Sequence, residues 1–231
     1  MNRNVKQILT QAKTQNRTIL NYKESRKIME LTSIPLNKME LAKGLEESLL
    51  KANEIGFPIV LKIVSEDVVH KSDAGGVKIG INSNSELETA YNEMMLSIKE
   101  FYPEAQIDGV SIEEMVEGVE LLIGTNTDEQ FGKMIAFGVG GIFVEVYKDI
   151  SFRLIPVYEE DIKEMISEIK GNKILEGFRG MPAVNKEELI SLMLRISKLI
   201  EENLTIKELD LNPVVATEDG LKAIDARIIL E

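Results

Sequence analysis

Apolar residues in the first half of the chain follow a helical period and then change to strand patterns. Near the start they recur every three or four positions, at Val5, Ile8, Leu9 and Ala12. This spacing predicts a short amphipathic helix, and similar spacing predicts helices over 21–31 and 45–55, the second ending at Gly56. The β-branched run 59–64 predicts a buried strand, and 77–81 alternates as a half-buried strand does. A further helix is expected to follow, with Ser85 as its N-cap.

The second half of the chain mixes short strand patterns with two longer helical patterns. Its predicted strands are 110–116, 119–124, 133–139, 142–146, 206–216 and 221–225. The two strands on either side of Gly140 and Gly141 are expected to form a hairpin, and helices are predicted over 159–170 and 186–202. Because helices and strands are interspersed and several neighbouring strands are hairpin-like, the pattern predicts an α+β fold with two lobes, 1–108 and 109–231.

Composition excludes several classes of protein. Hydrophobic residues make up 44% and charged residues 29% of the 231 residues, which is ordinary for a globular domain. The chain has no cysteine, so disulfides and thiolate metal sites are excluded. Its formal net charge of −12 argues against binding to nucleic acid or to an anionic membrane. No apolar run is long enough to cross a membrane, and residues 1–13 lack the apolar core of a secretory signal, so a cytoplasmic location is expected.

Two segments of the first lobe carry candidate chemistry for phosphate. Lys62 is the single charge in its apolar strand, where it either packs its stem and snorkels or faces a cleft and binds phosphate. His70, the only histidine, is followed by Gly75, Gly76 and Val77. A lone histidine is usually structural. A glycine pair before a strand, however, can turn its N–H groups toward phosphate, and a neutral imidazole beside it can accept a phosphoryl group.

Carboxylates crowd the turn between the predicted strands 110–116 and 119–124. The residues of interest there are Glu113, Glu114, Met115, Val116, Glu117 and Glu120. Glu117 is interpreted as a solvated surface residue. Glu120 leads an apolar strand and could accept hydrogen bonds from ribose hydroxyls, while the backbone of 114–116 could contact the edge of an adenine.

A third set of polar residues lies near the end of the chain. Asp210 and Asn212 are two apart on one predicted strand, so their side chains should face the same side. Asp225 lies on the strand paired with it through the turn 217–220, and the three oxygen-bearing side chains are expected to converge. Such a set suits Mg²⁺ when phosphate oxygens and water complete the coordination. The alternative is a polar strand face without a ligand.

Several of these segments form longer strings in a fixed order. They are GFPIVLKIVS at 56–65, HKSDAGGV at 70–77, FG at 131–132, FGVGGI at 137–142, VE at 144–145 and ELDLNP at 208–213. Together they resemble the ATP-grasp beta subunit of ADP-forming acetyl-CoA synthetases, over nearly the whole chain. The length of the chain also resembles that of the stand-alone beta subunit rather than the fused alpha–beta form.

The resemblance implies an ATP-grasp fold, with nucleotide between two α+β lobes, and a reversible reaction that converts acyl-CoA, ADP and phosphate into the acid, ATP and CoA. It implies a CoA-binding alpha subunit as partner, in an α2β2 heterotetramer. The first lobe would carry the phosphohistidine loop with His70, and the second the adenine hinge and the metal site. Asp210 would orient the phosphohistidine, and Asn212 and Asp225 would hold Mg²⁺. The implied nucleotide-binding residues are Lys62, Gly75, Gly76, Val77, Glu113, Glu114, Met115, Val116, Glu120 and Arg153.

Two other functions fit part of the sequence. A direct ATP-grasp carboxylate ligase would form its acyl-phosphate without a histidine on this loop. A regulatory nucleotide-binding module without catalysis would be expected to lack the histidine or to belong to a longer chain. A succinyl-CoA synthetase beta subunit is related, but would carry an additional flavodoxin-like domain. His70 therefore favours the phosphate relay over the direct ligase and the regulatory module, and the expected flavodoxin-like domain argues against the succinyl-CoA synthetase subunit.

Overall fold

A computed structural model describes residues 3–65, 67–68, 71–141, 144, 146–178 and 183–231. The predicted phosphate carrier, His70, lies outside these residues. The helices are α1 (Arg3–Thr14), α2 (Tyr22–Leu31), α3 (Leu45–Ile55), α4 (Asn84–Phe101), α5 (Glu159–Glu168) and α6 (Lys186–Glu202), with a 3-10 helix at Lys170–Glu176. The strands are β1 (Met39–Ala42), β2 (Ile59–Val64), β3 (Val77–Ile81), β4 (Gly109–Glu114), β5 (Val119–Asp128), β6 (Gly132–Val139), β7 (Ile150–Leu154), β8 (Ile206–Thr217), β9 (Gly220–Ala223) and β10 (Arg227–Leu230). Within the described ranges, no helix is long and apolar enough to cross a membrane.

The chain divides into two compact units. One, here called the insert unit, is the continuous segment Asn37–Met115. The other, the main unit, combines Met1–Leu36 with Val116–Glu231. The insert unit is thus one continuous segment inserted between the two parts of the main unit, after Leu36 and before Val116.

The insert unit is a four-stranded antiparallel sheet with two helices. Its strand order is β1-β4-β2-β3. The β-branched run of β2 alternates, so that Ile59, Leu61 and Ile63 are fully buried while Lys62 points to the other face. Apolar residues of α4, among them Leu87 and Met94, belong to the same core cluster.

The main unit is built on a six-stranded antiparallel sheet of order β10-β8-β5-β6-β7, with β9 paired to β8. One face is buried in the larger core, which includes Ile123 of β5, Phe137 of β6 and Leu209 of β8 together with apolar residues of α1, α2, α5 and α6. Residues of opposite parity, such as Gly124 and Asp210, are only partly buried. This second surface is called the open face below.

Most of the predicted elements are confirmed, because their local signals are strong. The helices predicted over 21–31 and 45–55 are α2 and α3. Asn21 caps α2 through a capping box with Glu24, and α3 ends at Gly56, whose φ is +92°. The predicted strand 59–64 is β2, with the bounds that the pattern gave.

Three local predictions are wrong. The N-cap of α4 is Ser83, whose hydroxyl accepts from the Glu86 amide, rather than Ser85. The partner of β6 in its hairpin is β7 rather than 142–146, whose described members Val144 and Val146 are not in a strand. The patterns of β1, β7 and β10 were not recognised as strands, since each has only four or five residues and little apolar alternation.

The boundary between units also differs from the predicted lobes 1–108 and 109–231. Strand β4 pairs with β1 and β2, and therefore belongs to the insert unit. The N-terminal residues belong to the main unit, where the Leu20 amide donates to the Ile228 carbonyl and the Leu230 amide donates to Thr18. These pairings are long-range, so local sequence patterns do not reveal them.

Candidate functional site

Asp210 and Asn212, two of the three oxygen-bearing residues predicted near the end of the chain, lie on β8 of the main unit. Along β8, Asp210 and Asn212 alternate with Leu209 and Leu211. The two leucines are buried in the core, whereas Asp210 is partly buried and Asn212 is exposed.

The prediction that Asp225 lies on a strand paired with β8 is wrong, because β9 ends at Ala223 and Asp225 lies in the connection between β9 and β10. The Ile224 amide donates to the Pro213 carbonyl, so this connection runs beside β8. The Asp225 carboxylate is close enough to Asp210 to raise the pKa of the Asp210 carboxyl. The convergence of all three side chains stays a prediction.

The electrostatic surroundings of Asp210 are acidic. Partial burial raises the pKa of Asp210 above its ordinary value, and the nearby carboxylates of Glu208 and Asp225 raise it further. Arg227, directly opposite Asp210 on β10, lowers the pKa and only partly offsets these effects. A cation placed here would remove the repulsion between the carboxylates.

The donor set fits a hard divalent cation held partly by a ligand. Asn212 and Asp225 supply an amide oxygen and a carboxylate, both exposed to solvent. Among the described residues, no three His, Cys, Asp or Glu side chains are arranged to hold a metal by themselves. The residues present therefore suit Mg²⁺, whose coordination is usually completed by phosphate oxygens and water.

A cavity of about 340 Å³ lies on the open face beside Asp210. Its lining comes from four strands of the main sheet. The lining residues are Gly124, Thr125, Asn126, Met134, Ala136, Phe152, Glu208, Leu209 and Asp210. The cavity thus has two carboxylates at its β8 side and an exposed aromatic ring at its β7 side.

Lys62 takes part in a buried polar cluster of the insert unit. Its ammonium lies 2.7 Å from the Glu113 carboxylate. Glu113 also accepts from the Ser111 hydroxyl at 2.9 Å and, at 3.5 Å, from the Asn37 amide. The Glu113 side chain is 6% exposed and that of Lys62 27%. Lys62 is therefore a fixed, partly solvated cation rather than a mobile surface lysine.

The predicted adenine-contacting segment 113–116 runs from the end of β4 into the main unit. The Glu114 amide donates to the Lys38 carbonyl, and the Glu114 carboxylate accepts from the Lys38 amide. The Met115 amide donates to the Pro58 carbonyl. These two amides are committed to the insert unit, so hydrogen bonds to a base would have to come from other groups of the segment.

Glu120 lies at the start of β5, on the open face and exposed to solvent. The amide of Gly140 donates to the Glu120 carbonyl at 2.7 Å. A Cβ atom added at Gly140 would lie 3.0 Å from the Glu120 Cβ. The glycine therefore leaves room for the Glu120 side chain, whose role in binding ribose stays a prediction.

The glycine loop before β3 differs from the predicted phosphate cradle. The Gly75 amide donates to the Ser72 carbonyl, and the Gly76 amide donates to Lys71. Gly75 has φ +69°, and a Cβ there would lie 2.8 Å from the Ser97 hydroxyl on α4. Val77 pairs with Lys62 across β2 and β3. In this conformation the two glycines close a compact loop, and their amides do not point toward a ligand.

Arg153 is not brought to the Asp210 group. Its guanidinium forms ion pairs with Glu164 and Glu168 of α5, and the Glu168 pair raises the pKa of Arg153. Its neighbour Phe152 lines the cavity on the open face, and successive strand residues point to opposite faces. To bind nucleotide, as the resemblance implies, Arg153 would have to leave both carboxylates.

Comparison with known proteins identifies the family. The model of the ATP-grasp domain matches residues 11–230. The beta subunit of acetate–CoA ligase (ADP-forming) I from Pyrococcus furiosus is 43% identical over 97% of this chain and 97% of that protein. The chain belongs to the ATP-grasp family. A longer acetate–CoA ligase (ADP-forming) from Archaeoglobus fulgidus is 42% identical to this ATP-grasp chain over 88% of the chain, which corresponds to 30% of that protein.

Solved structures agree with this assignment. An acetyl-coenzyme A synthetase from Ca. Korarchaeum cryptofilum, in complex with coenzyme A and the nucleotide analogue Ca-AMPCP, superposes with a TM-score of 0.90 at 44% identity, over 98% of this ATP-grasp chain and 99% of that chain. A second structure of that enzyme, with Mg-AMPPCP, has its phosphohistidine segment pointing towards the nucleotide-binding site and gives a TM-score of 0.83 at 42% identity, over 98% of this chain and 100% of that one. The predicted α+β ATP-grasp fold is confirmed.

The sequence patterns of this ATP-grasp chain do not predict several residues that lie around the cavity of the open face. Gly124, Ala136 and Phe152 line the cavity from three different strands, and Glu208 and Arg227 surround Asp210. Buried and exposed residues alternate along β5 and β8, and this alternation alone would assign Gly124 and Glu208 to the open face. The register that aligns them with Ala136 and Phe152 is non-local and has no sequence signal.

Proposed function

We propose that this ATP-grasp chain is the nucleotide-binding beta subunit of an ADP-forming acyl-CoA synthetase, with acetate as the representative acid. In the reaction that we propose, a CoA-binding alpha subunit forms an acyl-phosphate, and this chain carries the phosphoryl group from there to ADP. The observation that carries the proposal is the Asp210 carboxylate, which lines the cavity of the open face and has the Glu208 and Asp225 carboxylates near it. Similarity to ADP-forming beta subunits over nearly the whole chain supports it.

The phosphate carrier in this proposal is His70. It is the only histidine of the chain, and a neutral imidazole nitrogen is nucleophilic near neutral pH. In the direction of ATP synthesis, an oxygen of the ADP β-phosphate forms a bond to phosphorus while the bond between phosphorus and the ring nitrogen breaks. The bonding electron pair returns to the ring. Asp210 would orient the ring by accepting a hydrogen bond from it.

The remaining residues bind and orient the nucleotide in this proposal. Lys62, already fixed by Glu113, would contact the nucleotide phosphates with its solvent-facing side. Glu120 would accept from the ribose hydroxyls. Asn212 and Asp225 would hold Mg²⁺, which neutralises phosphate charge and aligns the reacting oxygens when it is bound. Phosphoryl transfer depends mostly on such positioning and charge neutralisation.

A labelling experiment tests the relay. The chain is mixed with its alpha subunit, Mg²⁺ and ATP labelled in the γ-phosphate, and the label on each subunit is measured after acid and after base treatment. We expect acid-labile, base-stable label on this chain, as a phosphohistidine gives. Because the chain has one histidine, the variant His70→Ala should lose this label completely.

A neighbouring hydroxyl provides the control. Ser72 is two residues from His70 and is the nearest hydroxyl that could be phosphorylated instead. The variant Ser72→Ala should be labelled as the wild type is. Acid-stable label that disappears in Ser72→Ala, or label that persists in His70→Ala, would contradict the histidine relay. Nucleotide binding with no label at all would favour a direct ligase or a regulatory module.

A further inference from the structure

The two edges of the main sheet differ in how far the chain itself covers them. On one side, residues 18–20 hydrogen-bond to β10. The neighbouring strand on that side, β9, donates its Leu221 amide to the Glu188 carboxylate. Its Ala223 amide donates to the Pro35 carbonyl. Among the described strands, β7 pairs with β6 alone, and it therefore forms an edge that a further strand can join.

The main-chain groups of β7 point alternately to β6 and to this outer edge. The Ile155 amide donates to the Lys133 carbonyl, so the odd-numbered residues of β7 bond to β6. The amides and carbonyls of Phe152 and Leu154 therefore point away from the sheet. The Phe152 carbonyl already accepts from the Arg153 guanidinium at 2.9 Å. Within the described part of the chain, this leaves the two amides and the Leu154 carbonyl available to an added strand.

Exposed apolar side chains are concentrated around the same strand. The segment 146–158 contains five large hydrophobic residues that are each between 51% and 67% exposed, namely Val146, Tyr147, Phe152, Leu154 and Tyr158. Phe152 and Leu154 are two apart on β7, so their side chains lie on the same face of the sheet. Natural sheets usually protect an edge with charges, and an exposed apolar patch marks a site of interaction. The β7 edge thus has the side chains of a strand that has a neighbour.

The helix beside this edge is acidic. Glu160, Glu164 and Glu168 are four apart on α5, so they form a row along one side of the helix. Glu164 and Glu168 share the single charge of Arg153, and the Glu164 side chain is still 68% exposed. A strand added to β7 would therefore meet apolar side chains on one face and excess negative charge on the other. This arrangement favours a segment in which apolar and basic residues alternate.

We propose that the β7 edge is the docking site for an extended segment of the CoA-binding alpha subunit, in which apolar residues alternate with lysine or arginine. The segment joins the main sheet as a further strand, with affinity from main-chain hydrogen bonds and specificity from alternate side chains. A second copy of this chain fits the edge less well, because it would bring together two acidic helices and two chains of net charge −12. The inference rests on the proposed function for the identity of the partner.

Binding of the alpha subunit to variants of this edge tests the inference. Leu154→Pro removes an outward amide, which an edge strand tolerates. Leu154→Lys replaces an apolar contact by a charge of the same sign as the segment, and Glu164→Lys reverses a charge in the acidic row. We expect the Kd for the alpha subunit, measured by calorimetric titration, to rise by about tenfold or more in each variant. Nucleotide Kd should change by less than about twofold, which shows that the variants are folded.

A matched control and a measurement on the unaltered chain accompany the variants. Leu96→Lys is the control, because Leu96 is 71% exposed on α4 of the insert unit. Its Kd for the alpha subunit should match the wild type. Amide hydrogen exchange of the wild-type chain does not depend on any variant. On addition of the alpha subunit, exchange of the β7 amides should slow, while exchange in β9, on the covered edge, should stay the same.

The possible outcomes separate this inference from the proposed function. Wild-type affinity in all three edge variants, unchanged exchange of β7 in a complex that does form, or loss of binding in Leu96→Lys alone would overturn the inference and leave the relay intact. Dimers of the isolated chain in sedimentation velocity that Leu154→Lys dissociates would assign the edge to a second copy and would also overturn it. A wild-type chain that does not bind the alpha subunit would contradict the proposed function, and the inference with it.

Discussion

Glu113 illustrates how one buried carboxylate fixes a cation within the insert unit. The side chain accepts from Lys62, Ser111 and Asn37, and it is almost fully buried. Burying a charge in this way is tolerable only while its donors remain. Removal of the Lys62 side chain should therefore lower the free energy of unfolding, whether or not it also weakens nucleotide binding.

A double-mutant cycle measures this dependence. Lys62→Met leaves the Glu113 carboxylate without its cation, and should lower the free energy of unfolding by about 1–3 kcal/mol. Glu113→Gln combined with Lys62→Met should cost less than the sum of the single variants, because no unpaired charge then remains. Urea denaturation provides the free energies. Additive costs would show that the pair is not coupled.

The Asp210 carboxylate lowers the folding stability of the main unit by an amount that depends on pH. Burial first, and then the Glu208 and Asp225 carboxylates, raise the pKa of Asp210 above its unfolded value, so the ionised form opposes folding. The penalty is present above the folded pKa and disappears as the pH falls below the unfolded pKa of about 3.9. We therefore expect Asp210→Asn to raise stability at pH ~7 and to leave it unchanged at pH ~3, while it slows phosphoryl transfer.

Asp128 provides a control of opposite sign. Backbone amides of Phe131 and Gln130 lower its pKa, so its ionised form favours folding, and this contribution is lost as the pH falls through the folded pKa. Asp128→Asn should lower stability at neutral pH. Urea midpoints across the pH range compare the two variants; a change of the same sign in both would refute the assigned causes.

At the scale of elements, the stability of α4 depends on its N-cap, which is Ser83 rather than the predicted Ser85. The Ser83 hydroxyl satisfies the Glu86 amide, which has no partner inside the helix. Ser83→Ala should lower the free energy of unfolding by about 1 kcal/mol, and Ser85→Ala should have little effect. Chemical denaturation of the two variants makes a matched comparison. A larger loss from Ser85→Ala would restore the original N-cap.

The elements also show what the sequence could and could not predict. Strand β2 is predictable from the sequence because five apolar positions around a single lysine leave few alternatives. The hairpin partner of β6 was misplaced, since 142–146 and β7 both combine apolar residues with a nearby turn, and only pairing over the whole sheet selects β7. The same limit applies to the site. Asp210 and Asn212 share a strand and a period, whereas Gly124 and Phe152 meet only through sheet register.

At the scale of the whole molecule, the chain provides one half of the proposed reaction. In the proposed function, its open face binds Mg²⁺ and nucleotide, and the CoA site lies on the alpha subunit. The isolated chain should therefore bind ADP or ATP with Mg²⁺ but form no acyl-CoA. Calorimetric titration with nucleotide and a turnover assay, each with and without the partner, test this. Complete turnover by this chain alone would be incompatible with the proposed division of labour.

The path of the chain through its two units determines the order in which they can fold during synthesis on the ribosome. All four strands of the insert unit come from one continuous segment, 39–114, which emerges before any strand of the main sheet. The N-terminal helices, in contrast, precede that segment, while residues 18–20 hydrogen-bond to β10, close to the last residue. The insert unit can therefore fold early, whereas residues 18–20 cannot form these hydrogen bonds until β10 has been synthesised. The apolar residues of α1 and α2 belong to the core of the main unit, so we expect them to stay partly uncovered until the strands of that unit have emerged.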